Sequence, residues 1–276
     1  MDVEILVIGN EVLIGKTQDT NSNWMAKRIT KYGHRLRRIT TIGDSLEEIS
    51  HSIRDILSRN PDIIITSGGM GPTFDDMTLE GIGIGLNKKL LLNDHAYNMI
   101  KKSYEQAYKQ KILKLEGMTK ERTKMAYLPE GSTPLPNIRG TAPGVKINAN
   151  NKTTIYILPG VPSEMKAMFS NSIKPVLKEN RGIFTEKGFI FEGIGESQIA
   201  PYVTKVEGKY PQLWIKTHPR VGLAVEVELS ITAFNLENGE KLAIRRIKKG
   251  NYRTKGKNKA IILTIFKIIL NWFKTR

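Results

Sequence analysis

Cysteine is absent from the 276 residues, which excludes disulfides and thiolate-bound metals and fits a cytoplasmic protein. Histidine is scarce: His34, His51, His95 and His218 are scattered without paired ligand spacing, so any metal is expected on oxygen ligands. No apolar run reaches the roughly 20 residues that a membrane-spanning helix needs. Strand-like sequence starts at Val3, so no secretory signal is expected ahead of it. Neither a Ser-His-Asp set nor a cysteine nucleophile can be assembled, which makes acyl transfer a poor fit; hydride transfer fits no better.

What is abundant is positive charge, +16 in total. Residues 239–276 hold twelve Lys/Arg and one acid, Glu240, and so carry +11 of it. The remaining +5 over 238 residues is a mild excess. Basicity is therefore assigned to the tail, and no specific nucleic-acid contact is expected from the main domain.

Five segments set the architecture. Val3–Ile8 reads as a buried strand and leads into Gly9-Asn10-Glu11-Val12-Leu13-Ile14-Gly15. Asp19-Thr20-Asn21 opens a helix whose apolar stripe is Trp24, Met25, Ile29 and Tyr32, stopped at Gly33. Arg35–Ile42 is a second strand, ending at Gly43-Asp44. Ser45-Leu46-Glu47-Glu48 is a capping box ahead of a helix with Ile49, Ile53 and Ile56 on one face. Ile63–Ile65 is a third strand. Strand–helix–strand–helix–strand order implies a mostly parallel sheet with helices on both faces.

The third strand runs into Ser67-Gly68-Gly69-Met70-Gly71-Pro72-Thr73-Phe74-Asp75-Asp76-Met77-Thr78. Three glycines in four residues let the backbone turn sharply and present bare N–H groups. Ahead of a helix start near Met77–Thr78, such amides suit phosphate oxygens. Asp75 and Asp76 beside an anion cradle make sense if a hard cation such as Mg²⁺ bridges them to phosphate. No Gly-Lys-Ser/Thr follows, so this is not a P-loop, and Phe74 breaks the dinucleotide fingerprint. The plainer reading is a tight strand-to-helix connection whose aspartates cap the next helix.

Further on, Leu79–Leu86 has helical spacing but carries Gly81, Gly83 and Gly85, which close packing or a close ligand would explain. A polar helix is expected from Asp94 to about Lys114, followed by a less regular stretch to Lys124. Thr153–Leu158 is another strand, leading to Pro159-Gly160-Val161-Pro162-Ser163-Glu164 and a helix that Ser163 is expected to cap. A strand–helix–strand–strand packet follows: Phe189–Glu192, Gln198–Glu207, Leu213–Thr217 and Val225–Thr232. The expected division is a domain over 1–178, a small α+β domain over 179–235, and a basic tail over 236–276. Within that tail Ala260–Phe273 reads as an amphipathic helix, suited to an anionic membrane or nucleic acid.

Ligands of an open parallel sheet bind beyond the carboxyl ends of its strands. The loops at Gly9–Gly15, Gly43-Asp44, Ser67–Asp76 and Pro159–Glu164 each follow a strand, so they are expected to line one cleft. It offers amides for phosphate and four carboxylates, Glu11, Asp44, Asp75 and Asp76. That set fits metal-assisted reaction at a phosphoanhydride. Alone, Asp44 reads better as a turn residue ahead of Ser45.

These motifs, with Leu128-Pro129-Glu130-Gly131, Gly140-Thr141-Ala142-Pro143-Gly144, Leu158 to Met165 and Gly193-Ile194-Gly195-Glu196-Ser197, closely resemble the CinA family (competence/damage-inducible protein) over about residues 3–233. The resemblance implies a molybdopterin-binding, MoaB/Mog-like α/β three-layer sandwich with a mostly parallel sheet, plus a small α+β domain. It implies metal-dependent hydrolysis of ADP-ribose to AMP and ribose 5-phosphate. The alternatives are a molybdopterin binder or adenylyltransferase, and a non-catalytic module whose tail contacts nucleic acid or membrane. Asp44 and Asp76 match the acids of the related molybdopterin enzymes and are the expected catalytic pair. Asp75, Asp76, Asp44 and Glu11 would hold a divalent metal, Mg²⁺ or similar. Phosphate or nucleotide would lie against Ser67, Gly68, Gly69, Gly71, Pro72, Thr73, Asn21, Gly160, Pro162 and Glu164. A homodimer and a small nucleotide or pterin substrate are implied; the deamidase domain that many members add is not expected. Three departures stand out: Gly81, Gly83 and Gly85 replace helix formers, Asn10 stands where an acid or Thr is frequent, and nothing after about Phe234 resembles the family.

Overall fold

A computed structural model describes residues 1–112, 114, 116–182, 184–210, 213–220, 226–234 and 252–255. In chain order its elements are β1 (Asp2–Ile8), α1 (Asn10–Leu13), α2 (Asn21–Lys31), β2 (Arg35–Ile42), α3 (Leu46–Ser58) and β3 (Ile63–Ser67). Next come α4 (Thr78–Gly85), β4 (Leu90–Leu92), α5 (Asp94–Lys109), α6 (Lys120–Lys124), β5 (Tyr127–Pro129) and β6 (Thr133–Leu135). β7 (Gly144–Asn148), β8 (Thr154–Leu158), α7 (Pro162–Met168), a π-helical turn (Phe169–Ile173) and α8 (Lys174–Glu179) complete the first unit. A second holds β9 (Phe184–Glu192), α9 (Glu196–Lys209), β10 (Leu213–Arg220), β11 (Glu226–Phe234) and β12 (Tyr252–Lys255). The chain divides into these two compact units between Arg181 and Gly182.

The first unit is an α/β fold built on a mostly parallel sheet. Its six-stranded sheet has the order β2-β1-β3-β8-β7-β6. The four strands β2, β1, β3 and β8 run parallel, β7 runs against them, and β6, antiparallel to β7, runs with them again. Side chains alternate across the sheet as a period of two requires. From β1, Val3, Ile5 and Val7 enter a core with Met25, Ile29, Met165 and Phe169, while Leu6 and Ile8 enter the opposite core with Ile49, Ile53 and Ile82. Of the two acids in β1, Asp2 and Glu4, the second is 1% exposed. Arg59 compensates it with a two-pronged contact, Nη2 donating to Oε2 at 2.7 Å and Nε to Oε1 at 3.0 Å.

The glycines of α4 serve packing. A Cβ on Gly81 would lie 2.6 Å from Ile49 Cβ, and one on Gly85 3.1 Å from Ile53 Cβ. Their absence lets α4 press its backbone against α3, which outweighs their poor helix propensity. The capping box forms only in half: Ser45 Oγ accepts from Glu48 N–H, but the Glu48 carboxylate accepts from Gly43 N–H at 2.9 Å. Two expectations are corrected. The long polar helix stops at Lys109, beyond which Lys111 takes a left-handed φ of 58°. The last major helix of the unit starts with Pro162 as its first residue and Val161 as its cap, so Ser163 is already helical; proline's missing N–H makes that position favourable.

The second unit is a small α+β fold whose sheet has the order β10-β11-β9-β12. Phe191, Ile199, Val206, Leu229 and Ile231 are buried in its core. The basic run expected as a tail contributes β12, parallel to β9. The expected amphipathic helix at 260–273 lies outside the described residues.

Candidate functional site

The register of the parallel strands decides where the loops go. Ile8 pairs with Ile42, Val7 with Ser67, and Ser67 with Leu158. All four strands therefore end on one edge, and β1 feeds neighbours on both sides, which makes the switch in strand order at which such sheets bind ligands.

Glycine brings the loops together. Gly68 has φ 116° and Gly69 φ 61°, conformations that other residues rarely adopt. A Cβ on Gly68 would run into the Ile8 carbonyl oxygen, and Gly160 packs its own Cβ position 3.4 Å from Gly68 Cα. The turn is pinned from behind: Gly68 N–H donates to Leu158 O at 3.1 Å, and Thr78 Oγ1 donates to Gly68 O at 2.9 Å. Ser67 is buried and faces inward; its hydroxyl donates to Pro159 O at 3.2 Å and accepts from Asn21 Nδ2 at 3.0 Å. Asn21 Nδ2 also donates to Gly160 O at 2.7 Å, while its Oδ1 is buried without a partner among the described residues. Ser67 and Asn21 thus tie three loops into one frame. Pro162 opens α7 at the same edge. Glu164 turns away from it, accepting from Asn137 Nδ2 at 2.6 Å.

The acids fall into two environments. Asp44 is half-buried, and its Oδ2 accepts the Asn10 N–H at 2.8 Å. Burial pushes its carboxyl above the usual range, the Asn10 bond pulls it back, and the charges of Glu11, Asp75 and Asp76 push it up further. Its Oδ1 lies 3.5 Å from where a Gly69 Cβ would sit. Asp75 goes the other way: the Thr73 hydroxyl, 2.5 Å from its Oδ1, holds it below the usual range, helped by nearby Lys124. Asp76 Oδ2 accepts from Thr73 N–H at 2.9 Å and lies 2.6 Å from Thr73 Oγ1. A Cβ on Gly71 would meet Asp76 Oδ2 at 2.5 Å, so the glycine makes room for the acid. The two carboxyls are pushed in opposite directions, an arrangement that can divide proton transfer from charge holding.

Among the described residues no three His, Asp or Glu side chains form a ready cage for a metal. Mg²⁺ does not require one, since it takes one or two carboxylates and completes its shell with phosphate oxygens and water. Asp44, with the negative charges of Glu11, Asp75 and Asp76 acting on it, is the carboxylate that could meet such a cation.

Sequence reasoning missed Lys124, whose Nζ donates to Thr73 O at 2.6 Å. It lies in a stretch without periodicity, so no local signal marks it. A cavity of about 520 Å³ opens between Gly69, Gly71 and Asp76 on one side and Lys120, Lys124 and Tyr127 on the other. Phe74, in the glycine loop, is 87% exposed. No helix among the described residues is long and apolar enough to cross a membrane.

The chain is similar to known proteins. Residues 4–179 match a family model described as "Probable molybdopterin binding domain". A protein from Sulfurisphaera tokodaii is 45% identical over 218 residues, covering 79% of this chain and 80% of that protein. One from Metallosphaera sedula is 40% identical over 250 residues, covering 89% and 91%. An alignment spanning 89% of the chain reaches past residue 240 wherever it begins. Similarity therefore continues beyond Phe234, contrary to the sequence expectation. The crystal structure of the protein CinA with unknown function from Thermoplasma acidophilum is 36% identical, with a TM-score of 0.57. It covers 64% of this chain and 99% of that one.

Proposed function

This chain belongs to the molybdopterin-binding domain family, among its CinA-like members, and on that footing we propose that it is a metal-dependent nucleotide pyrophosphatase that hydrolyses ADP-ribose. The observation that carries this reading is Asp44: a half-buried carboxyl with raised proton affinity, facing a glycine turn at the sheet's switch point. The turn at Gly69–Gly71 receives the phosphates. Asp76 holds Thr73 and thereby the loop. Asp44, with Asp75, Asp76 and Glu11 around it, is where a divalent cation would be held; bound there it supplies positive charge against the pyrophosphate. Asp44 accepts the proton that water loses as its oxygen bonds to phosphorus. The bridging P–O bond breaks with its electron pair remaining on the departing phosphate, and AMP and ribose 5-phosphate result.

Incubation with ADP-ribose and Mg²⁺, followed by separation of AMP and ribose 5-phosphate, tests the reading. Equimolar products are expected. Asp44→Asn should lower kcat by roughly 10²–10⁴-fold, the usual worth of a general base. Unchanged turnover in that variant would reject the assignment.

A second reading is kept because the 520 Å³ cavity beside Gly69 is large enough for a fused ring against Tyr127. In it the same edge binds molybdopterin or transfers adenylate to it. Thermal-shift measurements with ADP-ribose and with pterin separate the two: the substrate that stabilises at lower concentration identifies the occupant.

A further inference from the structure

We propose, on the basis of that reading of the edge, that Lys124 is a positioning residue for the hydrolysis. It latches the turn that carries Asp75 and Asp76 to a fixed point on α6, and so sets where the two acids can meet a cation.

The turn has little to hold itself. Thr73, Phe74 and Asp75 are exposed. From Gly71 to Asp76 the one backbone–backbone bond among the described residues, Asp76 N–H to Thr73 O, is long at 3.3 Å. Side chains supply the rest, and they converge on Thr73. Its hydroxyl lies 2.5 Å from Asp75 Oδ1 and 2.6 Å from Asp76 Oδ2. A hydroxyl has one proton, so it donates to only one of the two carboxylates at a time. Lys124 adds a bond from the other side of the same residue, Nζ donating to Thr73 O at 2.6 Å. Its positive charge also favours the ionised form of Asp75, adding to the stronger effect of the Thr73 hydroxyl.

Charge balance alone does not describe this lysine. Among the described residues neither Asp75 nor Asp76 has a lysine or arginine within ion-pair distance. Lys124 ends on a backbone carbonyl instead, which leaves both carboxylates open to another cation.

The latch has a firm base. With five residues, α6 is too short to be stable alone, but its neighbours anchor it. Thr119 Oγ1 accepts the Arg122 N–H, and the Arg122 guanidinium lies 4.0 Å from the ring centroid of Tyr104 in α5. Met125 and Ala126, which follow α6, are buried in the core. Lys124 thus reaches the turn from an anchored helix, and it lines the same cavity as Gly71 and Asp76.

Position and charge predict opposite signs. If Lys124 contributed charge alone, its removal would strengthen the binding of a divalent cation. Removal of a latch weakens that binding, because the cation must then order the turn itself.

The test compares full-length K124M, K124R and K88M with the wild type. Lys88 is the control: it is half-buried like Lys124, and its Nζ also donates to a backbone carbonyl, that of Glu130, at 3.1 Å. Hydrogen exchange read by mass spectrometry, without metal, should be about tenfold faster over residues 69–77 in K124M, the worth of one hydrogen bond to a charged group. K88M should match the wild type there, and K124R, which can donate to the same carbonyl, should recover most of the protection. Mg²⁺ followed by calorimetry should bind about tenfold more weakly to K124M, and kcat with ADP-ribose should fall in K124M and return in K124R. Exchange left unchanged in K124M while ADP-ribose is still turned over would overturn the proposal. So would tighter Mg²⁺ binding by K124M, or protection lost throughout the first unit together with a lowered melting curve. A wild type that leaves ADP-ribose intact, with faster exchange and weaker Mg²⁺ binding in K124M, would reject the hydrolase reading and support the latch.

Discussion

At the scale of single residues, three buried or half-buried ionisable groups make separate, measurable statements. Asp44 has a folded-state proton affinity above that of the unfolded chain, raised by burial and by its acidic neighbours. Its ionised form therefore opposes folding above the folded-state pKa, and the penalty disappears as pH falls toward the unfolded value. In the absence of divalent metal Asp44→Asn should raise Tm at neutral pH, while with Mg²⁺ and ADP-ribose it should lower kcat. A variant that loses activity without gaining stability would show that the strain lies elsewhere. His34 has the opposite consequence. Its Nε2–H donates to Leu177 O at 2.8 Å, yet burial lowers its pKa from 6.5. As pH drops below that value the unfolded chain takes up a proton that the folded chain refuses, so stability falls. His34→Gln should flatten that part of a Tm-against-pH curve. Glu4 and Arg59 form the third case. With Glu4 1% exposed, Arg59→Ala leaves a buried carboxylate unpaired, and a loss of roughly 3–5 kcal/mol is expected in urea denaturation.

Whole elements show how packing overrides local preference. By propensity α4 is a poor helix, with three glycines in eight residues. It forms because those glycines let it approach α3, which Gly81→Ala would block by placing a methyl 2.6 Å from Ile49 Cβ. The helix-propensity gain of about 1 kcal/mol is set against an overpacking cost of typically 1–3 kcal/mol, and the cost should win because Ile49 is branched at the point of contact. Gly208→Ala in α9 is the contrasting case: nothing lies within 4 Å of its Cβ position, so a gain of roughly 0.5–1 kcal/mol is expected. If both substitutions stabilised the protein, α4 would not be held by close approach. Strand and helix order in the first unit was readable because apolar period and caps agree there. The end of α5 was not, since Lys111 leaves the helix through a left-handed φ that no glycine announces. The strand β12 was unreadable for a different reason: its pairing with β9 is a long-range contact in a run that looks merely basic.

For the molecule as a whole, the sequence placed the glycine turn and its acids correctly in order but could not give their orientation. Ser67 reads as a phosphate ligand by position, yet its hydroxyl is spent on Pro159 and Asn21. Glu164 stands in a loop of the right edge and points to Asn137. Counting rightly puts +11 of the +16 charge on residues 239–276, but it could not show that two acid-free runs of the first unit, 20–43 and 165–178, meet around one core. Side-chain direction and the meeting of distant segments are tertiary facts, and composition does not carry them. The central claim is that the edge formed by β1, β2, β3 and β8 grips a diphosphate. A crystal structure with a non-hydrolysable ADP-ribose analogue and Mg²⁺ tests it most directly. The diphosphate should lie on the Gly69–Gly71 turn with the cation between it and Asp44; density for the analogue elsewhere, with that turn empty, would contradict the account.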